Sequence, residues 1–130
     1  MNQRSTDRAL LPGVNLARIT PPAVPPHLLV REPLMNELDT PIPFAIFVVA
    51  PSGYGKTTLA AQWAAKYPDN TIWYTVSKSD TPKLSLFHFI ESFRNLFPNF
   101  APWAESVIDT ELDTRDVVTK MANEIGQLGR

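Results

Sequence analysis

Residues 50–57 read Ala50-Pro51-Ser52-Gly53-Tyr54-Gly55-Lys56-Thr57, and Thr58 follows. Paired glycines, a lysine and two hydroxyls in this order can hold a polyphosphate. A phosphate tail needs several backbone N–H groups converging on it, in a turn too tight or too left-handed for residues with a Cβ at some positions. Gly53 and Gly55 can supply those conformations. Lys56 would reach β- and γ-phosphates as a point charge, Thr57 would offer its hydroxyl to a bridging magnesium ion, and Thr58 would neighbour the α-phosphate. If a helix begins at Lys56, the amides of residues 53–58 and the positive end of its dipole form the cradle. The pattern is a P-loop, or Walker A motif, with Ala50 where the strict form has its first glycine. Ala50 is expected at negative φ, where its methyl group is tolerated. Coincidence is the bland alternative, but a chance match to the broad pattern in a chain this long is on the order of one per cent from average residue usage.

The flanking sequence has the elements that such a loop requires. Residues 44–50, FAIFVVA, form a continuous apolar run, which predicts a strand buried on both faces of a parallel sheet. Residues 56–66 are rich in Ala, Leu and Gln and predict a helix that stops before Pro68. Residues 71–76, TIWYTV, are β-branched and aromatic and predict a second strand. Asp80 or Thr81 can cap a further helix with Pro82 in its first turn. Its Leu86, Phe89, Ile90, Phe93, Leu96 and Phe97 would form a greasy face laid on the sheet. After a break at residues 98–102, a last helix is predicted over 115–128, capped by Thr114, with Val117, Val118, Met121, Ile125 and Leu128 on one face. Together these predict an α/β fold of parallel strands with flanking helices.

Composition narrows the class. The chain has 130 residues, enough for one core but short for a complete nucleotide-binding sheet. Its 13 prolines are about twice the average share of roughly 5%. Many fall in residues 1–40, read as a proline-rich arm with one short helix opening at Pro33. Net charge is only −1 with basic residues scattered, so direct DNA binding by this segment is not expected. There is no cysteine, no apolar stretch of signal-peptide length near Met1, and no run approaching the roughly 20 residues of a membrane helix. The expectation is a cytoplasmic protein without membrane contact.

The succession LARITPPAVPPHLLVREPLMNELD, then FVVAPSGYGKTTLAAQWAAKYPDNTIWYTV, resembles the start of the ATPase module of MalT-like LuxR-type transcriptional regulators, within the signalling P-loop NTPases called STAND. The resemblance covers residues 16–97. It implies ATP or ADP with Mg2+ as ligand, a nucleotide switch, possible homo-oligomerisation and, in full-length relatives, a separate DNA-binding domain. Val30-Arg31-Glu32 is similar to the family's short arm motif beside the adenine and ribose, which makes Arg31 a second candidate contact. Two departures stand out. Where relatives often carry acids after the second strand, this chain has Ser77-Lys78-Ser79-Asp80, leaving Asp80 as the possible match. No Walker B strand ending in an acid is evident, since Val107-Ile108-Asp109 is too short. The domain reading is therefore an arm at 1–40 and the N-terminal portion of a P-loop NTPase domain at 41–130, truncated before Walker B. Nucleotide binding is expected, and hydrolysis by this chain alone is not.

Two other functions are compatible with a P-loop. A small P-loop kinase or phosphotransferase would need an acceptor-binding segment and a general base, and neither is identifiable. A vestigial fold could instead serve as an interaction module through its apolar helices. His27 and His88 have no metal-like spacing, so packing or surface roles are expected of them. The acids Glu105, Asp109, Glu111, Asp113 and Asp116 read as a solvated helix start, and Trp63, Trp73 and Trp103 as core or interface anchors.

Overall fold

A computed structural model of the chain describes residues 9–24, 32, 33, 35, 53, 55–111 and 113–128. The elements in order are a short 3-10 turn at Leu16–Ile19, helix α1 at Lys56–Lys66, a 3-10 turn at Pro68–Asn70, helix α2 at Pro82–Arg94, a 3-10 turn at Ala104–Val107 and helix α3 at Thr114–Gln127. Glu32, Pro33 and Met35 are also helical. The chain divides into two compact units, one of Met1–Thr20 with Ile72–Arg130 and one of Pro21–Thr71.

The α/β expectation is corrected here: among the described residues every regular element is helical and none is a strand. Residues 71–76 show why a strand composition did not become a ladder. Thr75 N–H donates to Arg18 O at 2.7 Å, Arg18 Nε donates back to Thr75 O at 3.0 Å, and Trp73 Nε1 donates to Thr75 Oγ1 at 2.9 Å. The segment satisfies its polar groups on a 3-10 turn and on itself, with no neighbouring strand among the described residues. Thr75 and Val76 are exposed, so this β-branched run lacks the two-sided burial that stabilises a parallel strand. The other expected strand, 44–50, lies outside the described residues.

In the first unit, α2 starts at Thr81, whose hydroxyl accepts from Leu84 N–H at 3.1 Å, and Pro82 fits the first turn because the missing N–H is not needed there. Its apolar side packs on other helical and loop residues. Phe87 and Ile90 are buried with Leu11, Phe100, Ala101, Ala104, Val117 and Met121, while Leu86, Phe89 and Phe93 pack around them half-buried. Full burial of Ile90 or Phe87 contributes about 1.5–3 kcal/mol each. Helix α3 is capped by Asp113 rather than Thr114, the Asp113 carboxylate accepting from Arg115 N–H at 3.1 Å. Its expected apolar face divides: Val117 and Met121 are buried, Leu128 is half-buried, and Val118 and Ile125 are exposed. Between α2 and α3 an apolar groove of about 410 Å³ is lined by Tyr74, Leu86, Phe89, Val118, Met121 and Ile125 among others.

In the second unit, α1 forms as expected from its composition. Leu59, Ala61, Gln62 and Ala64 are buried, and Met35 is buried as well. Tyr67 N–H donates to Trp63 O at 3.1 Å to close the last turn, and Pro68 cannot continue it. Among the described residues no helix is long and apolar enough to cross a membrane.

Candidate functional site

The glycine turn before α1 carries the conformations its chemistry demands. Gly53 has φ 90° and Gly55 has φ 80°, a region that residues with a Cβ enter at a cost of roughly 1–2 kcal/mol. A Cβ built on Gly53 would meet nothing within 4 Å, so the dihedral and not crowding selects glycine, and the backbone stays open on that side. Gly55 is the N-cap of α1, and Leu59 N–H donates to its carbonyl at 2.9 Å. Most helices of this length begin on Ser, Thr, Asp or Asn, whose side chain accepts from the first-turn amides. Gly55 offers no such side chain, and the first turn contains no acid. What remains is a helix N-terminus with its dipole directed at the turn, a site suited to an external anion.

Lys56, Thr57 and Thr58 occupy the first turn; Thr57 is exposed, and Lys56 and Thr58 are half-buried. An exposed threonine hydroxyl beside a lysine fits a magnesium–phosphate ligand, the oxygen serving the hard cation and the ammonium the phosphate charge. Ala50, Pro51, Ser52, Tyr54 and Arg31 lie outside the described residues.

Asp80, the possible acidic match after the second predicted strand, is already occupied. Arg18 grips its carboxylate through both terminal guanidinium nitrogens, Tyr74 donates its hydroxyl at 2.9 Å, and Ser77 N–H donates at 3.2 Å. The Arg18 guanidinium first, and then Tyr74 and Ser77, hold the Asp80 carboxyl well below the usual carboxylate range, and Asp80 raises Arg18 in return. Asp80 therefore organises the first unit. In the sequence its partner stands 62 residues away, a distance that hides the pair.

Sequence reasoning also missed a buried polar face on α2, where His88, Glu91, Ser92 and Arg94 are almost wholly excluded from solvent. Arg94 uses all five N–H donors. Nε donates to Phe100 O at 2.9 Å, Nη2 to Ala101 O at 2.7 Å and Glu105 Oε2 at 3.3 Å, and Nη1 to Glu105 Oε1 at 2.9 Å and Glu91 Oε1 at 3.5 Å. Glu105, expected in a solvated acidic stretch, is thus an ion-pair partner, while His88 takes the packing role, one of the two expected of it. The available signal was that His88, Glu91 and Asn95 recur at three and four, sharing a face of the same helix that carries the apolar stripe.

Comparison with known proteins gives relatives for part of the chain. It is 35% identical over 86 residues to the serine/threonine-protein kinase PknK of Mycobacterium tuberculosis, covering 62% of this chain and 8% of that protein. It is 33% identical over 85 residues to the HTH-type transcriptional regulator MalT of Vibrio cholerae, covering 60% of this chain and 9% of that regulator. The MalT of Vibrio parahaemolyticus is 32% identical over 77 residues, with 58% and 8% covered. The chain spans less than a tenth of the length of these curated relatives. No family model matches it, and no solved structure matches it.

Proposed function

We propose that this chain binds the phosphates of ATP or ADP, with magnesium, at residues 50–58, and that it represents part of the nucleotide-responsive module of a MalT-like transcriptional regulator. The observation that carries the reading is the paired left-handed glycines, Gly53 and Gly55, opening directly onto an 11-residue helix that begins Lys56-Thr57-Thr58 without a capping side chain. In this reading the amides of residues 53–58 cradle the phosphates, Lys56 neutralises the β- and γ-phosphates, Thr57 ligates magnesium, Thr58 lies by the α-phosphate, and Arg31 contributes near the nucleoside. Similarity to proteins named as MalT supports the regulatory context. The role is binding and switching. Asp80, fixed on Arg18, does not serve as the acid that orients an attacking water.

Calorimetric titration with ATP and magnesium tests the proposal. Removing the Lys56 ammonium loses about 1.5–3 kcal/mol of binding, roughly ten- to a hundredfold in Kd, as expected for a charge-assisted contact. Equal affinity of wild type and Lys56→Ala would overturn the assignment.

A further inference from the structure

Residues 9–20 run along α2 as a strap, and two of the three side chains that hold the strap's backbone are buried. Glu91 Oε2 accepts from Leu11 N–H at 2.8 Å, His88 Nε2 faces Asn15 N–H at 3.1 Å, and Asn95 Nδ2 donates to Ile19 O at 3.0 Å. His88 and Glu91 are only 0% and 1% exposed, and the strap's own anchors Leu11 and Ile19 are equally sheltered. The other ring nitrogen of His88 lies 2.9 Å from Leu84 O, which can only accept, so Nδ1 carries the ring proton and Nε2 offers a lone pair to Asn15. The strap is thus held by a ring nitrogen of His88 that accepts and by a carboxylate oxygen of Glu91 that accepts.

A second proton on His88 would set Nε2–H against Asn15 N–H, two donors meeting where water is excluded, with both left unsatisfied. The groups around the ring give that cation no spare counter-charge among the described residues. Tyr74, from the segment after Thr71, stacks on it with centroids 5.6 Å apart and directs its hydroxyl to Asp80. From the strap, Arg18 sits 5.7 Å over the Tyr74 ring and is itself paired with Asp80. Along α2, Glu91 is engaged by Arg94 and by Leu11 N–H.

We propose that the strap is an acid-released latch: protonation of His88 detaches residues 9–17 from α2 while the rest of the α2–α3 core stays packed. Release withdraws Leu11, but the core retains Phe87, Ile90, Val117 and Met121 and the saturated Arg94, none of which requires a neutral imidazole. Arg18 keeps its hold on Asp80 and Thr75, so the segment released is residues 9–17.

Amide NMR of the whole chain, titrated from about pH 7.5 to about pH 4.5 across the range in which histidines charge, tests the latch. Leu11, Asn15 and Ala17 should leave their folded positions in a step that precedes any movement of Ile90, Val117 and Met121. His88→Gln, which offers an acceptor oxygen that does not titrate, should lose that early step. Strap and core moving together, a strap that never moves, or an early step retained in the variant would each overturn the proposal. Should the variant not fold, the wild-type ring decides: long-range nitrogen–proton correlations at about pH 7.5 must show neutral His88 with the proton on Nδ1, and an Nε2–H tautomer or an imidazolium rejects the mechanism.

Discussion

The first turn of α1 and the middle of α2 both concentrate polar side chains on a helix, and they treat them in opposite ways. At α1, Thr57 is exposed, Lys56 is half-buried, and the capping position is a glycine without a side chain. At α2, His88, Glu91 and Arg94 are buried, and the strap and the 100–105 loop meet them with backbone and carboxylate partners. One arrangement suits a ligand from outside; the other consumes its polar capacity in holding the fold. The difference arises from where the partners come from. Those of α2 include backbone groups 73 and 80 residues away in sequence, whereas the α1 turn sets its conformation within a few residues.

The largest effect should come from breaking the saturated side of this contrast. Arg94→Ala takes the guanidinium away from the buried Glu91 carboxylate and removes the donors to Phe100 O, Ala101 O and Glu105, and should cost about 3–5 kcal/mol in urea unfolding. The matching change at the α1 turn, Lys56→Ala, removes a half-buried side chain and should cost less, about 1 kcal/mol, while weakening nucleotide binding as described. Comparable stability losses in both variants would erase the distinction.

Glycine replacements sharpen it further. Gly13→Ala and Gly53→Ala both place a methyl group at positive φ, each costing roughly 1–2 kcal/mol from the backbone alone. At Gly13 the new Cβ would also sit 2.9 Å from Leu84 Cδ1, whereas at Gly53 nothing lies within 4 Å. Thermal unfolding should therefore rank Gly13→Ala below Gly53→Ala, and the reverse order would mean that crowding is unimportant in the strap.

A pH-dependent effect is expected at Asp80, whose side chain is buried while its partner Arg18 is partly solvated. Its carboxyl titrates below the ordinary value of about 3.9 because Arg18, and after it Tyr74 and Ser77, stabilise the anion. The stabilisation is therefore fully present above that ordinary value and is lost as pH falls through the lower folded one. Asp80→Asn should lower the urea midpoint at about pH 7, with the gap to wild type narrowing toward about pH 2.5. A gap independent of pH would show that the pair contributes packing and not charge.

Sequence alone determined what local chemistry determines. The positive φ of Gly53 and Gly55, the helix that follows, a cap of α2 at residue 80 or 81 and the existence of α3 all follow from residues within a turn or two of one another. The candidate phosphate turn belongs to this class, which is why its residues were legible. Only the tertiary structure decided the rest. Residues 71–76 have the composition of a strand, yet a strand exists only with a neighbour to complete its hydrogen bonds, and here Arg18 took that place. The apolar stripe of α2 likewise could not say what it would bury, and it met Leu11, Phe100, Val117 and Met121 where a sheet was expected. Periodicity specifies the face that a helix hides, but its partner is fixed by the long-range pairing of groups such as Glu91 with Leu11 and Asp80 with Arg18, which no local pattern encodes.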